Sequence, residues 1–455
     1  MIMTREKGFY KRFLILLLPL ALQSVISYSV SLADNLMVGS LGELALSGVY
    51  TATQLQNFLH MLVAGLSAAL IVLASQYWGK RDGGSVKSVI GIAVKLALGA
   101  GLLMLLLTLL FPWQIMRLFT NDPAIVQESL QYLRIIRFTY LFFCLTQVLI
   151  ASMRCVETVR IGLYVSIMTF CVNVFLNWVL IFGNLGAPAL GIRGAAIATL
   201  TARILETAVM ILYVGFIDKK LKIRARDLLH SDRILLRSFF SYGLPVILGD
   251  IFWGINLASQ GAIIGRLGET AVASVSIANT VFSLFSVAVY GAAGASAIII
   301  GQTVGAGAYD KVKSYARTLQ VLFVGIGLVS GAALFLAREY LDLFYNLEPE
   351  TLKLTVRLLT VLSVTIVGTS YQMSSLTGIV RAGGATHFVL INDLIFVWCV
   401  VIPSALLAAF VFEASPVVVY ACLKSDQILK CLVAAVKVNR FRWIKNLTLA
   451  KKSLA

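Results

Sequence analysis

Twelve runs of mostly apolar residues occupy most of the chain, at 13–38, 46–76, 89–112, 127–153, 161–183, 190–217, 237–265, 272–302, 316–337, 352–379, 388–411 and 416–437. A helix needs about 20 such residues to cross the hydrocarbon core of a bilayer, and each run meets that length. Composition agrees. Hydrophobic residues make up 59% of the 455 positions and charged residues only 13%, about half the share of a soluble domain. No stretch is polar enough to form a separate soluble domain. The reading is an all-α polytopic membrane protein.

The net charge of +17 is a topology signal and gives no reason to expect a nucleic-acid partner. Basic loops such as "GKRDGGSVKS", "DKKLKIRARDLLHSDR" and "GAYDKVKSYAR" alternate with neutral or acidic ones such as "GSLGEL", "TNDPAIVQES" and "REYLDLFYNLEPET". The positive-inside rule then places both termini in the cytoplasm of a cell-membrane protein, and an even span count agrees. The first apolar run has no small-residue cleavage site, so it reads as a span and not a removed signal. The six cysteines show no paired spacing and the three histidines no metal spacing. No cofactor and no resident metal are expected.

A shift of 226 residues brings landmarks together. Pro19 meets Pro245, "GSLGELAL" meets "GRLGETAV", Gln76 and Gly79 meet Gln302 and Gly305, and "VKS" meets "VKS". After one added residue Arg154 meets Arg381. The chain is therefore expected to be two parallel six-helix pseudo-repeat lobes, 1–217 and 237–437, joined by a basic cytoplasmic linker at 218–236 and followed by a basic tail at 438–455. Repeated halves commonly rock against each other around a shared site. No Walker A sequence is present, so an ion gradient is the expected energy source.

"PLALQSVISYSVSLADNLMVGSLG", "ASQYWGKRD" and "NVFLNWVLIFGNLGAPALGIRGAAIATLTARILE", together with the doubled half, resemble the MATE (multidrug and toxic compound extrusion) family over nearly the whole chain. The resemblance implies a two-lobed, twelve-helix fold that exports organic cations or amphipathic compounds against inflow of Na+ or H+, with bending of the first helix on protonation or cation binding. It implies a small organic substrate, surrounding lipid, a monomer and no enzymatic activity. Two other cargoes stay open: a lipid-linked or glycan precursor, which would favour a strongly cationic cavity, and a specific endogenous metabolite. An enzyme would show a nucleophile–base set or metal ligands in the spans, and neither is found.

Asp34 lies inside the first span, where a lone carboxylate costs at least ~2.5–3.5 kcal/mol. Its repeat mate is Gln260, so the architecture does not require an acid there. Asn173 and Asn177, spaced i, i+4, share one face of the fifth span, and Thr199 follows in the sixth. One carboxylate with neutral oxygens suits Na+, and the set is similar to the cation site of the family's N-lobe. Some members carry a second acid where this chain has Asn177, so H+ coupling stays open, as does a purely helix-bonding role for the amides.

A second set, Asp250, Asp393, Lys424 and Asp426, lies with Gln260 in the C-lobe, as coupling or substrate groups or as buried pairs. Asp393 is expected to pair with Lys424. Some relatives place an acid about eight residues after the second proline, but that position is Trp253 here; Asp250 stands one turn earlier on roughly the same face. Arg203 with Glu206, and Arg134 with Arg137, read as mainly structural. Among the aromatics Tyr28, Trp178, Phe252, Trp253 and Tyr290, Tyr28 and Trp253 are the favoured cavity residues for stacking on a cation. Gly39, Gly42, Gly265 and Gly268 are expected to form tight outer turns, and "GAAIAT" and "GAAGASA" to let helices approach closely.

Overall fold

The computed structural model describes residues 3–229, 232–343 and 348–449; His230 and the end of the basic tail, 450–455, lie outside the described residues. Among the described residues the chain is helical, with no strand. Twelve spans follow the twelve apolar runs. They are α1 Lys7–Gly39, α2 Glu43–Gly79, α3 Gly83–Leu110, α4 Pro123–Ile136 continued by Thr139–Cys155, α5 Arg160–Phe182 and α6 Ile192–Ile217 in the first half. The second half has α7 Arg233–Gly265, α8 Glu269–Phe285 continued by Val287–Gly305, α9 Tyr309–Asp342, α10 Pro349–Arg381, α11 Thr386–Val411 and α12 Pro416–Leu423 continued by Asp426–Asn439. Ten described helices are each long and apolar enough to cross a membrane, and α4, bent by 55°, makes eleven. α12 is the twelfth; each of its pieces is too short alone because it breaks at Lys424 and Ser425.

Helices run past the apolar limits because a helix does not end where hydrocarbon ends. It ends where its terminal N–H groups find caps. Asp82 caps α3 by accepting from the Ser85 N–H at 3.0 Å. Asp122 caps α4 by accepting from the Ala124 N–H at 2.8 Å, with Pro123 as the first helical residue. At two of the breaks a serine back-bonds to the preceding turn, Ser286 Oγ to the Phe282 carbonyl at 2.8 Å and Ser425 Oγ to the Cys422 carbonyl at 2.7 Å; the same bond at Ser27 and Ser29 leaves α1 unbroken. Pro19 and Pro245 stay inside unbroken helices.

The chain forms two compact units, Met1–Ala21 with Ser75–Arg81 and Leu244–Ala455, and Leu22–Ala74 with Asp82–Gly243. The divisions in α1 and α7 thus fall within a few residues of the two prolines. The first unit has a core around Ile263, Val275, Leu334, Leu358, Leu362 and Tyr420. The second has one around Val38, Val49, Met116, Leu133, Ile181 and Ala195. Lipid supplies no hydrophobic drive between helices, so close packing depends on small residues. A Cβ on Gly194 would lie 2.4 Å from the Leu180 carbonyl oxygen, which brings α6 against α5.

Of the four expected turn glycines, only two have the left-handed backbone: Gly42 at φ 113° and Gly268 at φ 101°, which are repeat mates. Gly39 and Gly265 are the last residues of α1 and α7, so the turn needs one such residue per half. A second repeated pair is tighter. A Cβ on Gly79 would lie 1.9 Å from the Gln302 carbonyl oxygen, and one on Gly305 1.8 Å from that of Gln76. The ends of α2 and α8 therefore cross backbone on backbone, each glycine facing the other helix's glutamine.

The chain after α12 folds over this crossing. Trp443 is fully buried against Gly383, and its indole N–H donates to the Val438 carbonyl at 2.9 Å. The Lys445 N–H donates to the Gly383 carbonyl and the Leu447 N–H to Gln76 Oε1, both at 2.8 Å. Gln76 Nε2 donates to the Ala382 carbonyl at 3.0 Å, and Lys80 Nζ to the Thr448 carbonyl at 3.2 Å. This segment is thus a strap across the ends of α2, α8 and α10.

Gly79→Ala and Gly305→Ala should each destabilise the protein by about 1–3 kcal/mol or more, because the added methyl meets backbone that cannot turn aside. Gly325→Ala, where nothing lies within 4 Å, should be neutral or slightly stabilising. Melting temperatures of the three purified variants in one detergent check this ordering.

Candidate functional site

The first-half set assembles as its spacing suggests. Asn173 and Asn177 are buried side by side on α5. Asn177 Nδ2 donates to Asp34 Oδ1 at 2.6 Å and to Asn173 Oδ1 at 3.1 Å, and Asn173 Nδ2 donates to Thr199 Oγ1 at 3.3 Å. α1, α5 and α6 each contribute to the row, within one compact unit. Both N–H groups of Asn177 are used, which leaves its Oδ1 buried with no hydrogen-bond partner. A buried acceptor left unmade is expensive. Here it lies on the side chain that holds the half-buried Asp34. The row thus links one carboxylate, two side-chain amides and a hydroxyl, groups whose oxygens are the ligand type a hard cation such as Na+ takes.

Tyr132 was not anticipated. It is buried on α4, beside Thr199 of the row. Nothing in the sequence separates it from other aromatics of the spans. Arg203 Nη1 meets Glu206 Oε2 at 2.6 Å, as the i, i+3 spacing suggests, with its guanidinium 5.3 Å from the Phe143 ring centre. The field of Arg203 reaches Asp34.

The second-half set differs from its expected pairing. Asp393 does not meet Lys424. Lys430 Nζ takes Asp393 Oδ1 at 2.9 Å and Asp426 Oδ2 at 3.0 Å. Lys424 Nζ lies instead 3.4 Å from Gln260 Oε1. The cause is the break in α12. Asp426 and Lys430 lie in the second piece at i, i+4, where side chains meet, while Lys424 stands at the break. That spacing was visible in the sequence and is the signal that would have found Lys430.

Asp250 accepts from Arg381 Nη1 at 3.3 Å. The repeat makes this contact twice: Arg154, the mate of Arg381, donates to Gln23 Oε1 at 2.7 Å, and Gln23 is offset by one from the mate of Asp250. An arginine at the end of α4 or α10 thus reaches a polar side chain on α1 or α7. The amide in one half shows that the contact does not need an acid. Tyr28 and Trp253 are 39% and 44% exposed, each on its own unit; Trp178 and Tyr290 are also exposed.

The MatE family model matches the chain twice, at residues 19–179 and 245–407. The chain belongs to the MatE family. The two matches begin at Pro19 and Pro245, the 226-residue shift read from the sequence. A relative from Streptococcus pneumoniae, described as a probable multidrug resistance protein NorM, is 26% identical over 87% of each chain. A Thermotoga maritima relative of the same description is 23% identical over 97% of this chain and 95% of its own. The fold is also that of a solved multidrug resistance MATE family transporter of the MOP superfamily in an outward-facing conformation, with a TM-score of 0.86 at 19% identity over 99% of both chains. This MatE chain is accordingly a multi-pass membrane transporter.

Removing Arg381 should strand Asp250. Arg381→Ala is expected to cost about 3–5 kcal/mol, and Arg381→Ala with Asp250→Leu less than that. A double-mutant cycle on unfolding in detergent measures the difference. Equal losses in the two variants would show that the pair does not carry the interaction.

Proposed function

We propose that this MatE transporter exports amphipathic, often cationic, organic compounds by alternating access, driven by inward movement of Na+ through the row Asp34, Asn177, Asn173 and Thr199. The observation that carries the reading is the unpartnered Oδ1 of buried Asn177 beside Asp34. The relatives described as multidrug resistance proteins support the export direction. An intramembrane acid without a basic ion-pair partner among the described residues is the ordinary mark of an ion path. Na+ is the coupling substrate here. Asp34 supplies its countercharge and the neutral oxygens replace part of its water. A cation shifts the two access states only by its different affinity for them. In this proposal the basic loops and both termini face the cytoplasm, and lobes 1–217 and 237–437 are the moving parts.

Efflux of ethidium from proteoliposomes under an imposed Na+ gradient tests the proposal. Wild type should transport, and Asp34→Asn should fall to the level of empty liposomes. Asn177→Ala should lose most of the Na+ response, because it removes both the free oxygen and the donor to Asp34. Transport driven by a pH gradient alone would overturn the choice of Na+. Normal transport by Asp34→Asn would overturn the site.

A further inference from the structure

The second half holds a cation that its own acids do not use. Among the described residues Lys424 Nζ has one hydrogen-bond acceptor, Gln260 Oε1 at 3.4 Å, and lies 5.3 Å from the centre of the Tyr420 ring. No carboxylate lies within ion-pair distance of it among the described residues. The three acids inside the spans of this half, Asp250, Asp393 and Asp426, have partners of their own. Asp393 and Asp426 share Lys430, Asp426 Oδ1 also accepts from Gln427 Nε2 at 3.0 Å, and Asp250 holds Arg381. The neighbouring polar groups are committed too. Gln260 Nε2 donates to Asn256 Oδ1 at 3.1 Å, and the Tyr420 hydroxyl to Asn279 Oδ1 at 2.7 Å. An ammonium carries three N–H donors, so Lys424 retains donors and a charge for an acceptor from outside the chain.

Two further observations bear on what this group could do. α12 breaks at Lys424 itself, and broken spans are where membrane transporters build sites for charged substrate groups. Gln260 is also the repeat mate of Asp34. At one position of α1 the first half has a carboxylate facing neutral amides. At the same position of α7 the second half has a neutral amide facing an ammonium. The duplicated position loses its charge, and α12 brings an ammonium to it instead.

We propose that Lys424, backed by Gln260, is an anion subsite that takes the carboxylate of a transported compound, so that the cargo includes zwitterionic and anionic amphipaths as well as cations. The proposal rests on the export reading and names a substrate class within it. It also separates Lys424 from a second use, as a distant countercharge to the cluster of Asp393, Asp426 and Lys430. A countercharge would stabilise the fold without distinguishing one ligand from another.

The test is equilibrium binding to the full-length protein in lipid nanodiscs, read by fluorescence anisotropy, with a rhodamine bearing a free carboxylate and with its methyl ester. Wild type should bind the acid more tightly than the ester by about tenfold or more. Lys424→Gln should bind the two alike, and Lys424→Arg should keep the preference. Equal binding of acid and ester by wild type overturns the subsite, as does a Lys424→Gln protein that keeps the preference. The wild-type ratio decides even if Lys424→Gln fails to fold. Efflux of the two dyes by wild type is measured separately. A preference for the acid in binding with no efflux of either dye would sink the export reading and leave the subsite standing.

Discussion

A polar group carried into hydrocarbon must find its partner inside the protein, because the bilayer core has no water to supply one. The backbone meets this demand as helix. The side chains meet it in pairs: Arg203 with Glu206, Arg381 with Asp250, Arg154 with Gln23, and Lys430 between Asp393 and Asp426. Asp34 in the first half and Lys424 in the second meet only neutral amides at hydrogen-bond distance and have no ion-pair partner among the described residues. Function is read here from groups the fold leaves incompletely satisfied.

Duplication sharpens that reading, because it separates what the architecture requires from what it permits. The crossing of Gln76 and Gly79 with Gln302 and Gly305 is made twice, with the same residues in reciprocal roles. So is the left-handed turn at Gly42 and Gly268. These positions build the fold. The arginine contact also recurs, but its acceptor changes from amide to acid, so the contact is structural and the charge optional. Asp34 and Gln260 share neither charge nor chemistry. A position that repeats in space and not in chemistry is where the halves have taken different tasks.

Much of this was legible in the sequence for physical reasons. Span length is set by the bilayer, so twelve apolar runs gave twelve spans with no reference to packing. The i, i+4 spacing of Asn173 and Asn177 fixed their common face, and the cost of an intramembrane acid singled out Asp34. The failures came where a helix is interrupted. α12 breaks at Lys424 and Ser425, and Asp393 meets Lys430 in the second piece instead of Lys424. The hydrophobic pattern through 416–437 gives no sign of the break. The strap could not be read either, since a basic tail with one tryptophan looks the same whether it is free or packed on Gly383. Tyr132 was hidden among other aromatics of the spans.

Na+ held by the row around Asp34 would raise the melting temperature of the purified protein as NaCl replaces choline chloride at constant ionic strength. An ion that binds the folded state alone raises stability in proportion to the logarithm of its concentration above its Kd. Wild type should show a rise that continues with the logarithm of the Na+ concentration, and Asp34→Asn none. A flat wild-type response, or an equal rise in the variant, would contradict Na+ binding at this row.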